Sequence, residues 1–188
     1  GLRAAYHSSG VTRPGPLAAI ASAYGTNIYT GYPVVITTAG AMEVAGVTND
    51  SFWNGVFSGV EFNTVQGALG RVYDNKWLAG TVLPTNADMR AYYTADDVGQ
   101  VYEIQANASL TRAAIGEQYD FEALAGNAVT GLASMGLDVA SAVGAGDQGQ
   151  LRVIGLNPGP DNNWGDLFPV VLVQNAAHPW VARVNVQA

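Results

Sequence analysis

The clearest secondary-structure pattern in this chain is Tyr102-Glu103-Ile104-Gln105-Ala106. Apolar and polar side chains alternate along it, so that Tyr102 and Ile104 share one face and the two polar residues share the other. A period of two residues is typical of a β-strand with one buried and one exposed face. The stretch therefore predicts a half-buried strand, and residues 180–187 show the same alternation.

Turn sequences bound this stretch and recur along the chain. Residues 95–99, Ala-Asp-Asp-Val-Gly, precede it, and Ala39-Gly40 separates two further apolar runs. Asp and Gly favour the backbone angles of tight turns. Short runs of this kind, with no long amphipathic helix between them, predict an all-β fold, an antiparallel β-barrel or β-sandwich with little helix. The predicted strands are 33–38, 42–47, 53–62, 71–77, 89–94, 100–106, 133–139, 150–156, 168–174 and 180–187, with a short helix at 109–115.

The first 31 residues differ from those that follow. Pro14-Gly15-Pro16 interrupts them, and proline fixes the backbone φ angle and removes a hydrogen-bond donor. We therefore expect residues 1–31 to form an extended arm, and residues 32–188 to form a single barrel or sandwich domain. The arm is more apolar than a disordered tail, which favours a contact with a neighbouring subunit. The predicted interface residues are Leu2, Tyr6, Leu17, Ile20, Tyr24, Tyr29 and Trp180.

Composition limits the kinds of partner. Of the 188 residues, 48% are hydrophobic and 12% are charged, and the net charge is −7. Nucleic-acid binding needs clustered basic side chains, but Lys76 is the only lysine and the arginines are spread singly. An acidic chain does not favour an anionic membrane surface either. We therefore expect no nucleic acid and no membrane among the partners, and a weakly charged surface that suits coverage by other subunits.

The residue types that enzymes use do not form a recognisable motif. His7 and His178, the only histidines, lie at opposite ends of the sequence, and Ser58 sits one place too late for a nucleophile elbow. Adjacent acids such as Asp96 and Asp97 are more typical of a turn than of a catalytic pair. The chain has no cysteine and no phosphate-binding or dinucleotide-binding glycine pattern. We therefore expect no enzyme activity, no cofactor and no catalytic site.

The segment 160–166, Pro-Asp-Asn-Asn-Trp-Gly-Asp, brings oxygen ligands close together, as calcium loops do. An EF-hand loop needs a further Asp or Asn before its glycine and a glutamate later, and Trp164 occupies one of those places. We interpret the segment as a structural turn in which Trp164 covers the core, and we expect no metal site.

Several segments together resemble a family of tailed-bacteriophage head structural proteins. The resemblance covers roughly Tyr32 to the end of the chain, in order, and includes a proline-aspartate-asparagine turn followed by an apolar strand and a closing Asn/His region. The chain departs from the family pattern in the tail from Pro179 to Ala188, in the absence of a proline after Asp97, and in its N-terminal segment. The segments that carry the resemblance are Trp53–Phe62, Trp77 with Gly80-Thr81, Val101–Ala106, Leu156–Asp166 and Val170–His178.

The resemblance implies a capsid decoration or cement protein, made in the host cytoplasm and located on the outer surface of the phage capsid in the virion. Its partner is then expected to be the major capsid protein. We also expect self-association as a closed homo-oligomer, a trimer in preference to a dimer. The alternative is a tail or fibre module that binds host carbohydrate through surface tryptophans, since Trp53, Trp77, Trp164 and Trp180 could stack on sugars.

Overall fold

The computed structural model describes residues 1–48, 51–63, 71–84, 89–144 and 147–179. Strands dominate this part of the chain, and all the paired strands described in it are antiparallel. Helix is limited there to two short 3₁₀ turns, Arg112–Ala114 and Val139–Ser141. The predicted all-β, antiparallel fold with little helix is confirmed.

Fifteen strands are numbered here in chain order. They are β1 Arg3–His7, β2 Ile28–Tyr29, β3 Pro33–Ile36, β4 Met42–Val44, β5 Gly55–Asn63, β6 Arg71–Asp74, β7 Lys76–Trp77, β8 Met89–Ala95, β9 Gln100–Gln105, β10 Gln118–Phe121, β11 Gly126–Asn127, β12 Leu132–Ala133, β13 Leu137–Asp138, β14 Leu151–Leu156 and β15 Val170–Asn175.

The first sheet has six strands in the order β1-β9-β15-β14-β10-β13. Its central strands alternate as the sequence predicts: Tyr102 and Ile104 of β9 are buried, and Glu103 between them is only half-buried. Val171 pairs with Ile104, and Val173 pairs with Tyr102. Residues paired across neighbouring strands point to the same face, so these four side chains form the inner face of the sheet.

The second sheet is built around β5, its longest strand. β8 pairs along nearly the whole of β5 on one side, while β3 and β6 share the other side and β4 lies beyond β3. Gly55 lies where β3, β5 and β8 meet, and a Cβ there would lie 2.6 Å from the Tyr93 ring. Glycine is therefore needed for the three strands to approach one another at this point.

One hydrophobic core joins the two sheets, and Trp53 lies between them. Its ring centroid is 5.2 Å from that of Tyr102 and 5.7 Å from that of Phe121, both in the six-stranded sheet. Its indole N–H donates to the backbone oxygen of Gln150 at 3.3 Å, which satisfies the polar end of a fully buried side chain. The arrangement is a β-sandwich.

The structure differs from the expected N-terminal arm. Strand β1 is the edge strand of the six-stranded sheet, and its partner is β9. The Ala95 N–H donates to the Arg13 oxygen at 2.9 Å, and the Ala91 N–H donates to the Ala18 oxygen at 2.8 Å, so the following residues cover the outer edge of β8. Strand β2 then pairs with β7. Residues 1–31 therefore pack on residues 32 onward along the edges of both sheets, because those edges offer backbone groups that need partners.

Smaller differences arise where the sequence pattern is short. The helix predicted at 109–115 is one 3₁₀ turn. In place of the strand predicted at 133–139 there are two separate strands of two residues each, β12 and β13. The glycines around these two short strands favour turns over a long continuous strand. The turn predicted at Ala39-Gly40 is present, with Gly40 at φ +76°. The strand predicted at 180–187 lies outside the described residues.

Candidate functional site

The structure divides the predicted interface residues into buried and exposed ones. Leu2, Ile20 and Tyr29 belong to the hydrophobic core of the chain itself. The Leu2 N–H donates to the Gly31 oxygen at 3.0 Å, which fixes the start of β1 against the second half of the segment. These three side chains are enclosed by their own chain, so we correct their predicted role: they stabilise the fold, and a partner cannot reach them in this conformation.

Tyr24 is half-buried and holds two neighbouring segments together. Its hydroxyl accepts a hydrogen bond from the Val44 N–H at 3.2 Å, and its backbone oxygen accepts one from the Gly80 N–H at 2.9 Å. These contacts indicate that Tyr24 braces β4 within its own chain. Trp180, the last of the predicted interface residues, lies outside the described residues.

Tyr6 and Leu17 are the predicted interface residues that reach the surface. Tyr6 is 49% exposed and Leu17 is 62% exposed, and Val11 between them in sequence is also exposed. We call Tyr6, Val11 and Leu17 the N-terminal contact surface. Scattered exposed apolar residues are ordinary, but three on one short segment that borders both sheets are suited to contact with another protein.

A groove of about 630 Å³ opens beside Tyr6 on the outer face of the six-stranded sheet. Arg3 and Glu103 form an ion pair across it, and the strand register places Leu172 next to Glu103 and Gly155 next to Leu172. Gly155 has no side chain, which leaves space at the centre of the sheet. The groove therefore offers apolar walls and one ion pair. Its lining residues are Arg3, Ala4, Ala5, Tyr6, Glu103, Leu156, Asn157, Pro158 and Leu172.

The fold brings both histidines to a single turn, which the sequence did not predict. His7 Nε2 lies 2.6 Å from Asp97 Oδ1, and its Nδ1 lies 2.6 Å from Ser9 Oγ. Since the Ser9 N–H donates to Nδ1 at 3.0 Å, Nδ1 is an acceptor and the ring proton is on Nε2, facing Asp97. Burial acts to raise the pKa of Asp97, but the Gly99 N–H, His7 and Arg13 outweigh it, and the pKa lies below its usual value.

The Ser9, His7 and Asp97 side chains have the order of a catalytic triad, but their surroundings indicate another role. A triad needs backbone N–H groups near the nucleophile to stabilise an oxyanion. Here the Ser9 N–H is already bonded to the His7 ring, and the Gly10 N–H donates to the His7 oxygen at 2.8 Å. These bonds close a tight turn at the end of β1, so the arrangement fits a structural turn better than an active site.

The second histidine approaches Asp96, which is buried. His178 Nε2 lies 3.1 Å from the Asp96 backbone oxygen and 3.3 Å from its Oδ2, and the Asn175 side chain donates to Oδ2 at 2.8 Å. Burial raises the pKa of Asp96 to about 7, although the Asn175 amide and the neighbouring Tyr102 hydroxyl act to lower it. Among the described residues, neither Asp96 Oδ1 nor the Tyr102 hydroxyl has a well-directed hydrogen-bond partner.

The turn at 160–166 is held by its own side chains. The Asn162 amide donates to the Asn157 and Val170 oxygens and accepts from the Val170 N–H, while Asp166 accepts from the Asn163 N–H at 2.7 Å. Trp164 packs against the core. These contacts fit the predicted structural turn. Within the described parts of the chain, no three acidic or histidine side chains converge as metal ligands.

The tryptophans do not form an exposed platform in the described part of the chain. Trp53 and Trp77 are buried in the core, and Trp164 is half-buried against it. A ring must expose a face to stack on a sugar. The described tryptophans therefore serve the core, which weakens the carbohydrate-binding alternative.

Comparison with known proteins identifies no relative of this chain. No family model, no curated protein and no solved structure matches the chain. The described residues include no helix of the length and apolarity that a membrane crossing requires.

Proposed function

We propose that the chain is a virion structural protein of a tailed bacteriophage, a decoration or cement protein that binds the major capsid protein on the outer surface of the capsid. The observation that carries the proposal is the N-terminal contact surface, which presents Tyr6, Val11 and Leu17 to solvent on a chain with few charges. The resemblance of Trp53–Phe62 and the later segments to phage head proteins supports the same role.

The mechanism is the bridging of neighbouring capsomers. A shell under internal pressure ruptures where capsomers separate, and a protein bound across that boundary adds its association free energy to the work of rupture. Exposed aromatic and aliphatic side chains are suited to such contacts, because apolar anchors in closed pockets contribute most of the binding energy of an interface. A closed homo-oligomer, a trimer in preference to a dimer, would present several such anchors at once.

The groove beside Tyr6 is the place on this surface where an anchor from the shell would fit. Its walls include Leu156, Pro158 and Leu172, and Gly155 leaves the sheet centre without a side chain. The Arg3–Glu103 ion pair, which lines the groove, would favour one orientation of the bound capsid segment. It would not require that segment to be strongly charged.

The test is binding of the purified chain to empty shells of the major capsid protein of the phage that encodes it, followed by sedimentation. Tyr6→Ser with Leu17→Ser should weaken binding at least about tenfold, as expected when apolar anchors are lost. Val129→Ser is the matched control, since Val129 is 86% exposed on a different hairpin. Equal binding by wild type, double variant and control would reject the contact surface, and no binding by wild type would reject the capsid role.

A further inference from the structure

Two tyrosines lie side by side at the turn that joins β2 to β3. The Tyr32 N–H donates to the Tyr29 oxygen at 2.9 Å, and Gly31 between them has φ +96°, a backbone angle that favours glycine. The turn brings the two rings together in an edge-to-face arrangement, with centroids 5.3 Å apart. Tyr29 is 5% exposed and Tyr32 is 4% exposed, so nearly all of each residue is enclosed by protein.

The hydroxyl groups of both tyrosines have no partner within the described residues. No hydrogen bond joins either hydroxyl to another side chain or to the backbone there, and neither oxygen is sealed from solvent as the Tyr102 hydroxyl is. Burial raises the pKa of the Tyr32 hydroxyl, and the nearby Tyr29 adds to the effect, so this group stays protonated and able to donate. A partner for these hydroxyls therefore has to come from outside the chain.

Both tyrosines line a cavity of about 430 Å³, which we call the tyrosine cavity. One of its walls is formed by residues 26–32, and the other is formed by residues 124–134, which contain the β11–β12 hairpin. The Thr30 N–H donates to the Gly131 oxygen at 2.9 Å, and the Ala133 N–H donates to the Thr30 oxygen at 2.9 Å, so backbone hydrogen bonds fix one wall against the other. The lining residues are Thr26, Asn27, Tyr29, Tyr32, Leu124, Ala125, Gly126 and Ser134.

Glycine at position 126 sets how closely the hairpin approaches the tyrosines. A Cβ on Gly126 would lie 2.2 Å from the Tyr29 ring, so a larger residue would displace either the ring or the hairpin. The Tyr29 ring is therefore closed to a protein partner. Only a molecule small enough to enter the tyrosine cavity can reach its hydroxyl.

The rim of the tyrosine cavity adds polar groups that carry no charge. Thr26 and Ser134 are exposed at its edge, and each provides a hydroxyl group. The Asn27 side-chain oxygen accepts from the Ala79 N–H at 2.7 Å, and this contact does not use the amide NH₂. Leu124 adds apolar surface. None of the described lining residues is an acid or a base.

These groups select the class of ligand. An ion would find no opposite charge to pair with, and the net charge of −7 disfavours an anion further. An apolar molecule would cover the tyrosine hydroxyls without giving them a partner, which weakens binding. A neutral molecule with several hydroxyl groups avoids both problems, because each hydroxyl can donate and accept. The volume lies in the range of small-molecule sites and suits a monosaccharide or a disaccharide.

We propose that the tyrosine cavity binds a neutral saccharide. The Tyr29 and Tyr32 hydroxyls donate to sugar oxygens from the floor of the cavity, and the Asn27 amide donates from the rim. The apolar face of the sugar ring packs against Leu124. This site does not involve the tryptophans, and it does not depend on the capsid role.

The test is NMR titration of the full, isotope-labelled chain with glucose, galactose, mannose, N-acetylglucosamine and disaccharides of these sugars. At least one saccharide should shift the amide signals of Gly126 and Ser134 and the ring signals of Tyr29 and Tyr32. Concentrations up to about 100 mM are sufficient, since we expect a Kd of about 1 mM. The amides of β14, which does not line the cavity, should not shift.

Two variants remove only the hydroxyl groups. Tyr29→Phe and Tyr32→Phe keep both rings and their packing, so the chain should fold as the wild type does. Each should weaken saccharide binding about three- to tenfold, the effect of one lost hydrogen bond. Tyr73→Phe is the matched control, because Tyr73 is 71% exposed and does not line the cavity, and its binding should equal that of the wild type.

Three results would overturn the proposal. One is that no saccharide shifts the signals of the lining residues. Another is equal binding by the wild type, Tyr29→Phe and Tyr32→Phe. The third is tighter binding at the same signals by inorganic phosphate, by toluene or by an end-blocked alanine tripeptide, which would assign the cavity to an anion, an apolar molecule or a peptide segment.

Discussion

The first 31 residues contain two sets of apolar side chains that look alike in sequence and differ in the fold. Leu2 and Ile20 are enclosed in the core, with Ile20 only 2% exposed, whereas Tyr6 and Leu17 point largely to solvent. Both sets lie on a segment that runs along the edges of the two sheets. An apolar composition therefore indicates that a segment packs against protein. The burial of each side chain is needed to show which residues stay exposed for a partner.

The backbone explains why the buried set is needed. Strand β1 provides partners for one edge of β9, and residues 13–18 provide partners for the outer edge of β8. An uncovered strand edge is a site of aggregation, and the N-terminal segment closes two of them. The segment therefore belongs to the folding unit, even where its side chains are exposed.

Deletion of residues 1–24 gives the largest expected effect. It removes β1, Leu2 and Ile20 and uncovers the edges of β8 and β9, so we expect loss of the cooperative unfolding transition seen for the full chain. Urea unfolding followed by circular dichroism measures this. A truncated chain that unfolds cooperatively at the same urea concentration as the full chain would mean that the segment is a dispensable arm.

Ile20→Ala compared with Leu17→Ala sharpens the comparison within one segment. Ile20→Ala should lower the free energy of unfolding by about 2–5 kcal/mol, because it removes buried methyl groups and leaves a cavity. Leu17 is 62% exposed, so Leu17→Ala should change that free energy by less than about 0.5 kcal/mol. Equal effects in urea unfolding would show that the two side chains are not differently buried.

Asp96→Asn tests the turn between β8 and β9, in which the next residue, Asp97, contacts His7 at the end of β1. Since the pKa of Asp96 is raised from 3.8 to about 7 in the folded chain, this group makes the fold less stable as pH rises from about 4 to about 7. Each unit of pKa difference corresponds to about 1.4 kcal/mol, so the loss of stability over this range should be a few kcal/mol. Thermal unfolding across this pH range should show the Asp96 contribution in the wild type and lack it in Asp96→Asn.

Tyr6→Ser should also have a small effect on stability. Nearly half of the Tyr6 side chain is already in water, so the free energy of unfolding should fall by less than about 1 kcal/mol. Urea unfolding checks this, and a far larger loss would place Tyr6 with the core set. A stable Tyr6→Ser chain is also needed before any loss of binding in the proposed capsid-shell experiment can be interpreted.

The fold class was predictable from local pattern, and the contacts between distant elements were not. Alternation along β9 and the turn at 95–99 follow from neighbouring residues, so a short stretch of sequence is sufficient to predict them. The pairing of β1 with β9 depends on register between residues about one hundred positions apart, such as Arg3 with Glu103. Apolar and proline content at 1–31 indicated an arm, because sequence pattern does not show which sheet edges are free.

The candidate site was predictable in part. The sequence identified Tyr6 and Leu17 among the apolar residues of the segment, and it could not separate them from Leu2 and Ile20. The sequence did not predict the contacts of His7 with Asp97 and of His178 with Asp96, because the two histidines lie at opposite ends of the sequence and reach neighbouring residues of one turn only in the fold. The adjacent aspartates at 96 and 97 were the signal that could have found them, since a buried acid at the end of a strand needs a partner from elsewhere in the fold.

We propose that this chain coats the outside of a phage capsid, and a cryo-electron microscopy reconstruction of virions that contain the chain would test the proposal. We expect density for this β-sandwich across the outer surface of the shell, with a copy number of the same order as that of the major capsid protein and with Tyr6 and Leu17 facing a neighbouring subunit. Density for the fold only in the tail, or a shell without it, would contradict the claim.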